Sequence, residues 1–184
     1  MKGNMENQSL SRRKWREWAF LILSSFLIAL FIKVFILNTT VVHGDSMNPT
    51  LYEEDRLIVN RLPIFLDEVK KGDIVVISAP DELDKDYVKR LIGEEGDLVQ
   101  IRRGSIYLNG EELNEEYSSQ DRTLPESEDA DWRIEKGYVF VLGDNRANGA
   151  SKDSRFFGPV PRDSIKGVVF FRYYPLGEEF GIVE

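Results

Sequence analysis

Nineteen consecutive residues, Ala19 to Leu37 (AFLILSSFLIALFIKVFIL), carry a single charge, Lys33. As a helix rising ~1.5 Å per residue, the run spans roughly 28 Å, about one hydrocarbon core. Lys33 sits near its far end, where a long stem lets the amine snorkel to the headgroups. The run is long for a cleaved leader, and Asn38–Gly44 offers no small-x-small site, so it reads as an uncleaved anchor. Ahead of it, Lys2, Arg12, Arg13, Lys14 and Arg16 outnumber Glu6 and Glu17. The positive-inside rule then keeps the N-terminus in the cytoplasm and everything from Asn38 onward outside. The predicted organisation is a basic cytoplasmic tail (1–18), a single-pass transmembrane anchor in the cell membrane (19–37) and an extracytoplasmic domain (38–184).

The 184 residues carry 24 basic and 32 acidic side chains, and from Asn38 onward the balance is 18 to 30. A body this acidic argues against sequence-independent nucleic-acid binding. There is no cysteine and one histidine, His43. Thiol nucleophiles, disulfides, cysteine-ligated zinc and histidine-rich metal sites are therefore excluded, and no metal or cofactor is expected.

Beyond residue 40 the apolar residues come in short β-branched runs bounded by Gly, Pro, Asn or Asp. These are 57–59, 74–77, 98–101, 106–108, 138–142 and 168–171. Asn109-Gly110 is a strong type I′ hairpin signal, and Arg103-Gly104 a weaker turn. No helical period persists over three turns. The pattern predicts an all-β, coiled or closed antiparallel domain with little helix. Residues 111–136 stand apart. Between 111 and 131 lie nine acids against Arg122, which reads as a solvated surface excursion. Leu62–Leu66 and Phe156-Phe157 read as core or loop anchors rather than as membrane-facing residues.

The remaining nucleophile candidates are Ser, Thr, Lys and carboxylates. Gly44-Asp45-Ser46-Met47-Asn48-Pro49-Thr50-Leu51 is a turn-rich segment in which Ser46 sits on a loop, although most such runs are plain turns. His43 is too close in sequence to Ser46 to arrive as the usual partner base and reads as incidental. In Tyr87-Val88-Lys89-Arg90-Leu91-Ile92-Gly93, strand alternation puts Lys89 on one face with Tyr87 and Leu91. If that face is inward, desolvation lowers the amine's pKa and lets it accept a hydroxyl proton, which arginine cannot do. The alternative is an ordinary strand lysine with a solvated head. Gly143–Arg155 follows a strong strand and mixes hydroxyls with opposite charges. It reads either as a loop pinning a site through Asp/Arg pairs or as a polar connection.

Together and in this order, these segments resemble type I signal peptidase, in its compact Gram-positive form. Ser46-Met47-x-Pro49-Thr50-Leu51 resembles the nucleophile box of that family, and Gly72–Val76 with Pro80 its core strand. Tyr87–Gly93 with Gly96-Asp97 resembles the base-bearing box. Gly143–Arg146 and Ser151-x-Asp153-Ser154-Arg155 resemble the last box. The resemblance implies a coiled β catalytic domain on the outer membrane face and a Ser/Lys dyad. Ser46 is the implied nucleophile and Lys89 the implied general base. Ser151 matches a hydroxyl that orients the lysine, and Asp153 and Arg155 match an ion pair near the site. Asp144 and Arg146 fall in the same supporting box. Gly44, Ser46 and Met47 form the implied oxyanion loop, with the Ser46 N–H as a donor. Gly44 stands where some members carry a hydroxyl donor. One lost donor costs about 10²–10³ in rate, so a backbone N–H or water is expected in its place. His43 replaces an expected acid, and Ala147–Ala150 makes the loop before Ser151 longer than the family pattern.

The implied substrates are secretory preproteins, cut after small-x-small sites, with the lipid bilayer as a second partner. An extended peptide is expected to dock by strand addition. Two other readings are a self-cleaving repressor-type Ser/Lys protease and a non-catalytic membrane-anchored β binding domain. The anchor and the acidic body disfavour the first, and the presence of both Ser46 and Lys89 disfavours the second.

Overall fold

A computed structural model describes residues 3–118, 123, 129–177 and 179–183. Lys2 of the basic tail and Asp121, Arg122, Glu126 and Glu128 of the acidic run lie outside the described residues. The chain forms two compact units, Met1–Leu37 and Asn38–Glu184. The first is helix α1 (Gly3–Phe31), followed by a π-helical turn, Ile32–Ile36. Among the described residues no helix is long and apolar enough to cross a membrane. The α-helix stops at Phe31, so the apolar run is shared between the end of α1 and the π-helical turn. Along α1 the apolar side chains Phe20, Ile22, Phe26 and Ile28 are exposed.

The rest of the chain is mostly strand. In order come β1 (Leu37–Val41), β2 (Arg56–Asn60), the helical turn α2 (Leu62–Phe65), β3 (Ile74–Ser78), β4 (Asp86–Gly93) and β5 (Leu98–Arg102). Then follow β6 (Ser105–Leu108), β7 (Glu111–Glu112), β8 (Asp129–Arg133), β9 (Tyr138–Leu142), α3 (Ser154–Phe157), β10 (Val160–Pro161), β11 (Ile165–Tyr174) and β12 (Gly181–Ile182). One sheet runs β1-β2-β11-β3-β4-β9-β10, with β12 also on β11, and a smaller one runs β7-β6-β5-β8. The pairings of β2 to β4 and β9 to β12 are antiparallel, as are those of the smaller sheet. Register shifts in β11 and at Leu91/Gly93 of β4 add local twist, which curls the large sheet. The antiparallel β architecture predicted from the sequence is the one observed.

Both two-residue turns form. Asn109 and Gly110 join β6 to β7 with φ of 56° and 90°, and Arg103 and Gly104 join β5 to β6 with φ of 51° and 92°. Positive φ at both central residues is what a type I′ turn requires. The core falls into three clusters. One packs Val42, Met47 and Leu51 against Leu57, Val59, Ile74, Val76 and Val169. A second packs Val75, Ile77 and Leu91 against Val139, Val141 and Ile165. A third joins Ile92, Phe140 and Leu142 to Val99, Ile101 and Ile106. Strand β4 feeds all three, through Val88, Leu91 and Ile92, so both of its faces are covered.

Two expectations change. Ile64 and Phe157 do pack on the core, but Leu62, Phe65, Leu66 and Phe156 are exposed. Helices α2 and α3 are four residues long, and one turn can bury only one side of itself. The acid-rich segment is not wholly solvated either, because Glu115 folds inward onto Arg146.

Candidate active site

Ser46 and Lys89 arrive from different directions. Ser46 lies on the connection between β1 and β2, which turns through Gly44 at φ 81°. Asn48 N–H donates to Asp45 O at 3.1 Å and Leu51 N–H to Met47 O at 3.0 Å, closing the turn. Met47 and Leu51 are fully buried and tether the loop to the core. Burying each contributes roughly 1.5–3 kcal/mol, enough to hold the neighbouring serine in place.

Lys89 is in the middle of β4, opposite Val75 of β3, and is only 3% exposed. Its Nζ donates to Ser46 Oγ at 2.8 Å and to Val88 O at 3.0 Å. The Tyr87 ring lies 5.3 Å from the same nitrogen. Burial pushes the amine down from its ordinary 10.5 to about 8, helped by Arg155 and opposed by Asp153 and Asp144. Of the two readings that the sequence left open for Lys89, the structure has the buried amine and not the solvated head.

The loop after β9 supplies the surroundings. Asp153 accepts from the Gly143 N–H at 3.0 Å and pairs with Arg155 through Nε at 2.9 Å and Nη2 at 2.7 Å. Although burial raises it, the Arg155 guanidinium and the Gly143 N–H hold the Asp153 carboxyl below its ordinary range. Asp144 and Arg146 are both fully buried but do not pair with each other. Asp144 accepts from Arg90 Nη2 at 2.8 Å and Thr50 Oγ1 at 2.5 Å. Arg146 donates to Gly143 O at 2.7 Å, Thr123 Oγ1 at 3.0 Å and the Glu115 carboxylate. Asn145 N–H donates to Ser46 O at 3.1 Å, tying this loop to the backbone of Ser46.

Ser151 is in the neighbourhood, but it does not hold the lysine. A Cβ placed on Gly143 would overlap both the Ser151 hydroxyl and the Ser46 carbonyl oxygen, so these segments meet over a bare glycine. The buried Ser151 Oγ makes no hydrogen bond to Lys89, and its hydroxyl faces Asp153 instead, where it helps hold that carboxyl below its ordinary range. The orienting acceptor on Lys89 is instead the carbonyl of Val88. His43 is exposed and lines the groove described below.

Sequence reasoning gave no role of their own to Arg90, Thr50 and Glu115, and quoted Gly143 only as part of a motif. Arg90 and Thr50 stand within the quoted motifs, so their positions were visible while their shared partner was not. Among the described residues no group of three or more His, Asp or Glu side chains is arranged to hold a metal ion.

A groove of about 670 Å³ opens beside the pair, lined by Thr39–Met47, Tyr87–Lys89, Ala150 and Tyr173 among others. Two strand edges border it. β1 ends the sheet order, and β4 pairs with β9 only from Arg90 onward.

The family described as signal peptidase, peptidase S26, matches residues 15–174. The chain belongs to the signal peptidase family, peptidase S26. This peptidase is 37% identical to signal peptidase I T of Bacillus subtilis (strain 168), over 95% of both chains. It is 35% identical to signal peptidase IB of Staphylococcus aureus, over 91% of this chain and 93% of that one. A crystal structure of a signal peptidase I from Enterococcus faecalis V583 is 32% identical. It covers 54% of this chain and 95% of that one, with a TM-score of 0.46. The peptidase is thus a serine endopeptidase by family.

Proposed function

We propose that the protein removes signal peptides from exported preproteins, with Ser46 as nucleophile and Lys89 as general base. The observation that carries this reading is the 2.8 Å approach of a buried lysine amine on β4 to the hydroxyl of a loop serine 43 positions away in sequence. In its neutral form, Lys89 donates to Val88 O and directs its lone pair at Ser46. It accepts the hydroxyl proton as Oγ attacks the scissile carbonyl. The same nitrogen then returns the proton to the leaving amine. It next takes one from water as the water oxygen attacks the acyl-serine, and gives that proton to Ser46 Oγ as the C–O bond breaks, which restores the hydroxyl and the neutral amine. Asp153 and Arg155 set the local charge, and Asp144 and Arg146 brace the loop. The Gly44–Met47 turn presents the Ser46 N–H as an oxyanion donor, and Ser151 packs against Gly143.

The substrate binds extended in the groove, pairing its main chain with the open edges of β1 and the first half of β4. Small side chains before the cut suit shallow apolar subsites lined by Val42, Met47 and Val88.

Residues 19–37 anchor the chain in the cell membrane, with residues 1–18 cytoplasmic and the catalytic domain, 38–184, extracytoplasmic. Basic residues before an apolar run and bare apolar side chains along α1 support that topology.

The test is cleavage of a preprotein by the full chain in detergent. S46A and K89R should each abolish the cut after the small-x-small site while the protein stays folded. Full activity in K89R would remove lysine as the base.

A further inference from the structure

We infer that Glu115 and Tyr117 are positioning residues for the catalytic pair, holding the loop of Gly143–Arg146 against Ser46 and Lys89. The inference rests on the peptidase reading. Residues Glu115–Ser118 form a turn, closed by the Ser118 N–H on Glu115 O at 3.0 Å. From it Glu115 reaches Arg146, which is fully buried, and accepts from Nη1 at 2.8 Å and Nη2 at 2.5 Å. A buried guanidinium without such a partner carries a large desolvation penalty, so this carboxylate decides where Arg146 sits. Arg146 Nε in turn holds Gly143 O, and Gly143 is the bare position on which Ser151 and the Ser46 carbonyl rest.

Tyr117 acts on the other arm. Its hydroxyl donates to Glu115 at 2.9 Å, and its ring centroid lies 3.9 Å from the Arg90 guanidinium and 5.9 Å from that of Arg146. The aromatic ring thus lies between two cations whose anions are Asp144 and Glu115. Asp144 also accepts from Thr50, on the segment that carries Ser46. The turn therefore braces both the nucleophile's segment and the loop beside the base. Loosening it moves Gly143 off Ser46 and admits water to the amine of Lys89. Facing that amine are the Ser46 hydroxyl, the Tyr87 ring and the charges of Asp153, Arg155 and Asp144. None of these belongs to the turn, so a shift in the amine's titration on altering the turn reports displacement of the site.

The test uses the full chain in detergent, with kcat, KM and the pH profile measured on a preprotein. E115A and Y117A should each lower kcat by ~10-fold or more with KM within ~3-fold, since small misplacements are costly at a reacting centre. The rising limb of the profile should move up by ~0.5 unit or more as the amine regains water. Y117F, which keeps the ring, should recover most of the rate, and E111Q, which removes an exposed carboxylate nearby, should change neither readout. If E115A melts below the assay temperature, E115Q keeps the shape and carries the same readout. Folded E115Q and Y117A with kcat within twofold of wild type and an unmoved limb would overturn the positioning role. So would a loss confined to KM. Wild-type protein inert on the preprotein would instead overturn the peptidase reading, and this inference with it.

Discussion

The rate of cleavage should follow the titration of one amine. Lys89 is 3% exposed and lies between two anions and one nearby cation, with burial the largest influence on it. Its proton leaves at about 8 instead of 10.5. At pH 7 about a tenth of the free enzyme then holds a neutral base, and at pH 9 about nine tenths, so kcat/KM should rise roughly tenfold between them and level off. A hydrated lysine behaves differently. It gives a roughly hundredfold rise over the same interval, with no plateau below pH 10. Initial rates of preprotein cleavage from pH 6 to 10.5, at constant ionic strength and well below KM, separate the two curves. The Tyr117 and Tyr87 phenols titrate above the measured range, since burial raises both, and leave the limb to the amine. A limb that keeps climbing at pH 10 would refute the argument from burial.

Removing the same amine should stabilise the fold. The folded-state pKa lies below the unfolded value, so the unfolded chain binds the extra proton. The deficit is fully present below pH 8 and disappears as pH rises through about 10.5. It amounts to ~3 kcal/mol, less ~1 kcal/mol for hydrogen bonds lost. K89M should therefore melt about 4–8 °C above wild type at pH 6, with the gap closing by pH 10.5 in calorimetry. G143A, which forces a methyl into the space of Ser151 Oγ and Ser46 O, should cut kcat by ~10²-fold or more in the cleavage assay. D144A leaves Arg90 and Thr50 without their carboxylate and should cost ~3–5 kcal/mol in unfolding experiments. An unchanged midpoint would show that the pair is dispensable.

Much of the architecture was legible because it rests on local chemistry. Asn109-Gly110 and Arg103-Gly104 tolerate positive φ, so the turns that order β5, β6 and β7 could be read from adjacent residues. Alternation along Tyr87–Gly93 put Lys89 on a face with Leu91, and that face is buried. The exposed Phe65 and Phe156 were misjudged for the same kind of reason. Hydrophobicity alone does not say which side of a single helical turn meets the core.

Partner choice was not legible. Asp144 and Arg146 lie two positions apart and suggest a pair by proximity in sequence, yet Asp144 pairs with Arg90 and Arg146 with Glu115. Ser151 follows the family spacing approximately, but the structure gives the amine the Val88 carbonyl and turns the hydroxyl toward Asp153.

The sequence by itself set an apolar N-terminal run apart from an acidic β body, because hydropathy and turn preferences act over a few residues. It also narrowed the chemistry to hydroxyl and amine by lacking cysteine and all but one histidine. Tertiary structure alone decided that the Lys89 nitrogen is dry and 2.8 Å from Ser46 Oγ. Desolvation and charge pairing depend on which distant segments close over a group, and no short stretch of chain encodes that.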